Sequence, residues 1–392
     1  MTASIPAVLA FDLGAGSGRA IAGRLDRTAE GSVIRIEEVH RFPNEPVLTG
    51  GHWYWDVLRL LHEIKQGMRK AVRKGYDIQS FGIDSWGVDF GLVGADGELL
   101  GNPYHYRDSR TDGINSKVAD LIGKERLYRE TGLQGLPFNT LYQLVAAKES
   151  GNVALQQAKA LLFMPDLLRY LLTGVRQTEY TIASTSQMLH PVRRTWNLDL
   201  LKELGIPTGC LLPIVQPGTR AGQLSPDIAD ELSIPRLQAL AVAGHDTACA
   251  VAAVPARQTP FAYISCGTWS LLGTELDSPI LGAAADEAGF TNEGGLNGTY
   301  RFLRNIMGLW LIQECKREWE REGLDYSYSE LVKLAEEAEP FRTFIDPDDL
   351  RFLPPGGMPE RIRGYARETG QSEPATPGEM TRCIMESLAL QY

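Results

Sequence analysis

Apolar and polar positions divide this chain into strands, helices and glycine-rich turns. Residues 7–11 are a short apolar run with Asp12 at its carboxyl end, residues 14–19 read Gly-Ala-Gly-Ser-Gly-Arg, and residues 20–25 alternate loosely. That pattern predicts a strand, a tight loop and a returning strand. Residues 32–42 alternate as a third strand. In residues 57–74 the apolar positions Val57, Leu58, Leu61, Ile64 and Met68 share one helical face, with Asp56 as N-cap and Gly75 as stop. Residues 78–90 then read as a strand running into a turn that carries Asp84, Trp86 and Asp89. Three strands, a helix and a strand are the opening order of a ribonuclease-H-like domain, and open α/β sheets bind ligands at the carboxyl ends of strands.

Farther on, residues 141–149 and 154–160 are expected to be helical, and 163–173 form an amphipathic helix opened by Pro165 and closed by Gly174. Residues 211–243 are punctuated by proline and glycine and end in a strand at 239–242, which puts a domain boundary there: residues 1–243 and 244–392. Gly244-His245-Asp246-Thr247 interrupts two small-residue runs, and the second, 248–254, is helical. Residues 261–273 repeat the opening theme, with Gly267-Thr268 at the turn between two strands. Two such hairpins, one opening each half, predict an α/β chain of two similar domains facing a shared cleft.

The first loop suits an anion, because flexible glycine backbone lets amides turn toward charge. It matches neither familiar phosphate motif. A P-loop would have Gly-Lys-Ser/Thr where this chain has Gly18-Arg19-Ala20, and a dinucleotide fingerprint would need glycine at 19 and a helix after it.

Composition narrows the field further. The 392 residues exceed what one core usually organises, and 39 basic against 49 acidic residues give a net charge of −10, which argues against a nucleic-acid binder. Five cysteines without C-x-x-C spacing read as reduced thiols of a cytoplasmic protein. Residues 237–256 are nearly uncharged and about long enough to span a bilayer, but His245-Asp246 at their centre favours a buried turn over a membrane segment.

Several strings together resemble the rhamnulokinases of the FGGY family of carbohydrate kinases. They are Asp12-Leu13-Gly14-Ala15-Gly16-Ser17-Gly18-Arg19, Gly82-Ile83-Asp84-Ser85-Trp86-Gly87-Val88-Asp89, Tyr106-Arg107-Asp108-Ser109-Arg110, 136–144, His245-Asp246-Thr247, Gly267-Thr268-Trp269-Ser270, Thr291-Asn292-Glu293-Gly294-Gly295 and 305–311. The resemblance implies two actin-like, ribonuclease-H-like domains around a cleft. It also implies transfer of phosphate from ATP, with Mg²⁺, to the 1-hydroxyl of L-rhamnulose in L-rhamnose breakdown. Carried over by position, Asp246 matches the catalytic base, and Gly87, His245, Asp246, Thr247 and Asn305 match sugar contacts. Ala15, Gly16, Ser17, Gly18, Arg19, Thr268 and Gln313 match ATP contacts, and Asp12 matches the carboxylate facing the metal and phosphates. Family members continue beyond Tyr392, so the resemblance implies an incomplete second domain, an adenosine pocket lacking part of its wall, and weak activity for this chain.

Each role has a plainer counterpart. Asp246 also suits a cap for the helix near Ala248, His245 a support for its turn, Trp86 a core position as well as a platform for the sugar, and Arg19 a salt bridge at the sheet edge. The segment from Tyr104 to Arg110 reads either as a grip on hydroxyls or as a surface ion-pair cluster. At the level of function, the alternatives are a kinase for another ketose or polyol (L-fuculose, a xylulose, glycerol) and an actin-like ATP switch without catalysis.

Overall fold

Strand β1 (Ile5–Leu13) buries every second residue, Ala7, Leu9, Phe11 and Leu13, as a strand against a core requires. In the computed structural model, which describes residues 5–28 and 31–392, it is followed by β2 (Ser17–Thr28), β3 (Gly31–Pro43), helix α1 (Val57–Arg73) and β4 (Tyr76–Ser85). Next come β5 (Phe90–Val93), β6 (Ala160–Phe163), α2 (Met164–Thr173), the single turn α3 (Tyr180–Ala183), β7 (Thr219–Gln223), β8 (Gln238–Ala241) and α4 (Asp246–Ala252). The main sheet has the order β7-β8-β4-β1-β2-β3. β1 runs antiparallel to β2 and parallel to β4, and β4 runs parallel to β8. This is the ribonuclease-H-like arrangement expected from the opening elements.

The compact units are residues 1–261 with 275–302, and residues 262–274 with 303–392. The first unit runs past residue 243 because the chain after β8 stays docked on β4: the Ser85 amide donates to the Gly244 carbonyl (2.9 Å), and Ser85 bridges to His245.

Helix α1 begins and ends as expected, with Asp56 Oδ1 accepting the Arg59 amide at 3.0 Å and Gly75 at φ 91°. Its buried face is rotated from the expected one. Val57, Leu60, Ile64, Gly67, Met68 and Ala71 face inward, while Leu58 is 64% exposed. Small residues set the side that can lie on the sheet, and counting large apolar residues misses that. Of residues 154–160, 154–157 are helical as expected and 158–160 are not. Only Val153–Gln157 is helical, and β6 pairs antiparallel with β5 instead. β6 is buried at all four positions, so sheet pairing in the core overrides the helix propensity of its alanine and leucines.

The second unit contains the hairpin of β9 (Ala262–Cys266) and β10 (Trp269–Leu276), paired from Ala262 opposite Thr274 to Cys266 opposite Ser270. After β11 (Phe290–Gly294) and β12 (Tyr300–Met307) come α5 (Trp310–Arg321), α6 (Met358–Glu368) and α7 (Pro377–Gln391). Trp310, Leu311, Cys315, Phe352, Ile362, Met380, Ile384 and Leu388 form the core of these helices. Residues 237–256 fold as strand, turn and short helix, and no described helix is long and apolar enough to cross a membrane. All five cysteines are free.

The start of α5 is tied to the β9–β10 turn by the Leu309 and Trp310 amides, which donate to the Gly267 and Thr268 carbonyls (2.8 and 3.2 Å). Gly308 permits this approach. A Cβ there would stand 2.7–2.8 Å from backbone atoms of Gly267, Trp269 and Ser270, which have no side-chain freedom to move aside. Gly308→Ala should therefore destabilise the chain by about 1–3 kcal/mol, read as a lower midpoint in urea unfolding. An unchanged midpoint would show that the hairpin and helix can separate freely.

Candidate active site

Parallel pairing of β1 with β4 sets Asp12 directly beside Asp84, at the carboxyl ends of both strands. Asp246, the first residue of α4, joins them electrostatically. The Asp84 carboxyl is held well above its ordinary value, by burial first and then by the charges of Asp12 and Asp246. Asp246 is also raised, again by loss of solvent first and with a contribution from Asp12, against the opposing effects of His245 and Thr247. Its side chain nevertheless stays 34% exposed, whereas Asp84 is buried. The Cys249 thiol, one turn along α4, lies 3.2 Å from the Ala243 carbonyl and also bonds the Asp84 carboxylate.

The turn that carries Asp246 is clamped by a buried acid. Glu179 accepts the amides of Thr181 (2.9 Å), Ile182 (3.1 Å) and Gly244 (2.8 Å) and the Thr181 hydroxyl (2.7 Å). The same hydroxyl accepts the His245 amide at 3.2 Å. Burial pushes Glu179 up to about 7 despite these donors. Helix α4 starts at Asp246 itself, with His245 at the capping position, so Asp246 is not the cap of a helix near Ala248. Its Oδ1 instead accepts the amide and hydroxyl of its neighbour Thr247, at 2.5 and 3.1 Å. His245 is buried, with Nε2 3.4 Å from Asp246 Oδ1 and Nδ1 3.1 Å from Glu293 Oε2. Glu293 in turn pairs with the fully buried Arg301 at 3.0 Å.

In the first loop the glycine reading changes. Ala15, Gly16 and Ser17 sit half-buried at the turn, closed by the Gly14 amide to the Ser17 carbonyl (2.9 Å) and by Asn44 Nδ2 to the Gly14 carbonyl (2.8 Å). Gly14, Gly16 and Gly18 are absent from the left-handed positions of the backbone. Gly18 already belongs to β2, and glycine is needed there because a Cβ would sit 2.3 Å from the Phe42 ring. Arg19 pairs with Asp12 across the hairpin at 3.4 Å, so the salt bridge weighed from sequence is present and ties the loop to the carboxylate.

Around Gly87, the neighbouring residues are fixed by a second buried acid. Asp89 accepts from Trp55 Nε1 (2.6 Å), Trp86 Nε1 (3.0 Å), the Tyr106 amide (3.1 Å) and Gln143 Nε2 (3.0 Å), and burial raises it to about 6. Trp86 packs on Trp55 with ring centroids 4.1 Å apart and is buried, which is the core role. Gly87 lies against Thr185, and Val88 is held at φ 68°, a strained value for a β-branched residue. His105, Arg107 and Asp108 are buried, so the Tyr104–Arg110 segment is no surface ion-pair cluster. Arg110 lies 3.9 Å over the Tyr104 ring and donates to Gln143 Oε1 at 2.6 Å.

Within the second unit, two residues matched to ATP meet each other. The Thr268 hydroxyl donates to Gln313 Oε1 at 3.2 Å, joining the β9–β10 turn to α5. Asn305 is half-buried on β12. Sequence reasoning left Asp84 without a role and passed over Glu179 and Arg301. Asp84 was findable, since it ends a strand parallel to the one that ends in Asp12. Glu179 and Arg301 were not singled out, because the contacts that tie them to the site, to Gly244 and to His245, are with residues distant in sequence.

Among the described residues no group of three or more His, Cys, Asp and Glu side chains could close around a metal ion. A divalent ion held mainly by phosphate oxygens and water needs only one or two carboxylates from the protein. The crowded charges of Asp12, Asp84 and Asp246 fit such an ion, since a cation relieves their repulsion.

Residues 7–253 match the N-terminal domain of the FGGY family of carbohydrate kinases, and residues 262–392 match its C-terminal domain. The chain is 45% identical over 383 residues to a rhamnulokinase of Bacteroides thetaiotaomicron, covering 98% of this chain and 77% of that protein. A rhamnulokinase of Oceanobacillus iheyensis is 42% identical over 384 residues, covering 98% and 80%. Among solved structures, ligand-bound xylulose kinase of Lactobacillus acidophilus aligns with a TM-score of 0.75 at 17% identity, over 98% of this chain and 76% of that one. Glycerol kinase of Plasmodium falciparum with ADP aligns at 0.69 and 16% identity, over 99% and 77%. At such identities the structures speak for the two-domain kinase fold alone.

Because the folded Glu179 value of about 7 stands above the ordinary 4.5, the folded chain holds a proton between those pH values that the unfolded chain has released. This contribution to stability is whole below pH 4.5 and is lost as pH rises through about 7. Glu179→Gln removes it. In thermal melts the Tm of the wild type minus that of the variant should therefore shrink from pH 4.5 to 7, and a difference independent of pH would contradict this.

Proposed function

The chain belongs to the FGGY family of carbohydrate kinases and phosphorylates rhamnulose with ATP in rhamnose breakdown; we propose that phosphate goes to the 1-hydroxyl of L-rhamnulose and that Asp246 takes the proton. The observation that carries this reading is the Asp246 carboxylate, partly open to solvent beside two further strand-end acids. Phosphoryl transfer needs alignment and charge neutralisation more than covalent help. The acceptor hydroxyl must lie within about 2.6–3.2 Å of the base, in line with the γ-phosphate. Loss of solvent raises Asp246 above an ordinary aspartate, which makes it the better proton acceptor.

In this reading the residues matched to the sugar and to ATP keep those roles. Gly87, His245, Thr247 and Asn305 hold hydroxyls. Ala15, Gly16, Ser17, Gly18 and Arg19 face the phosphates, and Thr268 and Gln313, already bonded to each other, present a polar pair to ATP. Asp12 holds a divalent ion, Mg²⁺, which when bound neutralises charge on the transferring phosphate. Arg19 orients that carboxylate through their ion pair. The five free cysteines and the absence of a membrane-spanning helix among the described residues suit a cytoplasmic setting.

Asp246→Asn keeps the shape of the site and removes the base. Sugar-dependent ADP formation should fall roughly 10²–10⁴-fold while ATP binding is retained. Coupled ADP detection over L-rhamnulose, L-fuculose, xylulose and glycerol checks base and substrate together. Substantial turnover by the variant removes Asp246 from this role, and a preference for another member of the panel removes L-rhamnulose.

A further inference from the structure

Four side chains form an unbroken line: Arg301, Glu293 and His245 are buried, and Asp246 at its end is partly open. Arg301 Nε donates to the Gly294 carbonyl at 2.9 Å, and its Nη2 sits 3.0 Å from Glu293 Oε2. Glu293 Oε2 is 3.1 Å from His245 Nδ1, and the other ring nitrogen, Nε2, is 3.4 Å from Asp246 Oδ1. Arg301 and Glu293 are buried, so their mutual attraction is little screened. Glu293 is held below the ordinary glutamate value: desolvation alone would push it up, but the charges of Arg301 and His245 prevail.

The donors to Asp246 converge on one oxygen. The Thr247 amide, the Thr247 hydroxyl and His245 Nε2 all address Oδ1. An oxygen with three donors around it has no room and little lone-pair density left for a substrate proton. We infer that Oδ2 is the proton-accepting atom of Asp246, and that Glu293 and Arg301 are positioning residues which, through His245, hold the carboxylate with Oδ2 toward the sugar. Glu293 holds the Nδ1 side of the imidazole, which leaves Nε2 to face Asp246. Arg301 anchors Glu293 by two contacts, one to its carboxylate and one to the adjacent backbone. Neither residue touches substrate. The inference rests on the reading of Asp246 as the base.

The geometry around Nδ1 supplies a test on the unmodified protein, because Arg301 Nη2 also lies 3.0 Å from it. Nitrogen-15 NMR of the imidazoles, with the His245 signal assigned from its loss in His245→Gln, reports whether Nδ1 carries a proton. Protons on both ring nitrogens, Nδ1–H directed at Glu293 and Nε2–H directed at Asp246 Oδ1, are the expected result. A bare Nδ1 accepting from Arg301 overturns the inference, since Glu293 would then not orient the ring.

Kinetics give the second arm. Glu293→Asp keeps a charge beside Arg301 but withdraws it from His245 by one methylene, and Glu293→Gln removes the charge. Both should lower kcat, the second by roughly tenfold or more, as part of the 10²–10⁴-fold that a placed base contributes. The KM for ATP should not move. In a His245→Gln background the same changes should cost nothing further, because the route to Asp246 is already cut. An equal loss in both backgrounds marks a merely structural role and sinks the proposal, as does wild-type kcat in folded variants. The Asp246→Asn control separates the two readings: if that variant still turns over, the base assignment has failed, whereas its inactivity beside normal Glu293 variants refutes only the positioning line.

Discussion

Like charges repel, and this fold sets three carboxylates close enough to perturb one another. Asp12 and Asp84 are brought together by strand register, the least adjustable form of positioning a sheet offers, because a slip of one residue would turn both side chains to the opposite face. Asp246 arrives from a different direction, on a turn that would relax away from the other two if it were free. Much of the surrounding architecture of the first unit answers that tendency. The Ser85 amide holds Gly244, Glu179 holds Gly244 from the other side, and the Thr181 hydroxyl holds His245. A divalent ion and phosphates would convert the repulsion into attraction, so the protein need only hold the arrangement until they arrive.

Buried acids do that holding three times over. Glu179 gathers four donors, Asp89 gathers four more, and Glu293 is matched to Arg301. Each acid loses solvation on burial and is compensated in part by fixed donors, some local and some, such as Gly244 to Glu179 and Trp55 to Asp89, from segments far apart in sequence. An acid satisfied in this way crosslinks loops more stiffly than apolar contact could, because hydrogen bonds are directional. The strained Val88 belongs to the same economy. Its amide donates to Thr185 Oγ1 at 3.1 Å, and its carbonyl accepts the Thr140 hydroxyl at 2.6 Å, so the unfavourable φ is imposed from both sides. Strain of this kind persists only where neighbours over-determine it, and here it lies next to Gly87.

What the sequence displays and what it hides follow from the range of the interactions. The β1–β2 hairpin, the strand order and both ends of α1 are local matters of period and capping, and they are legible. So are Asp12 and Asp246, as strand-end and turn acids, and the Thr268 turn with its partner Gln313 through family resemblance. The buried face of α1 was misread because Gly67 and Ala71 matter for what they lack. The helix expected over 154–160 stops at Gln157, because the chain must turn there into the buried strand β6. Gly18 was seen as a flexible hinge for an anion, while its function in the hairpin is to leave space for the Phe42 ring. Glu179 and Arg301 were invisible because a buried polar residue has meaning only with its partner, and the partners that tie them to the site, Gly244 and His245, lie 65 and 56 positions away.

Given three neighbouring carboxylates, the local environment decides which one takes a proton from substrate. Asp84 is buried, which leaves it less open to a substrate hydroxyl than the other two. Asp12 is open, but its carboxylate is already paired with Arg19 across the hairpin. Asp246 is the remaining acid. It is open on one side, raised above the ordinary aspartate by loss of solvent, and has its donors gathered on a single oxygen. The residue types are the same in all three places. Burial, charge pairing and the distribution of donors give them three different surroundings, and the roles proposed for Asp12 and Asp246 rest on that difference.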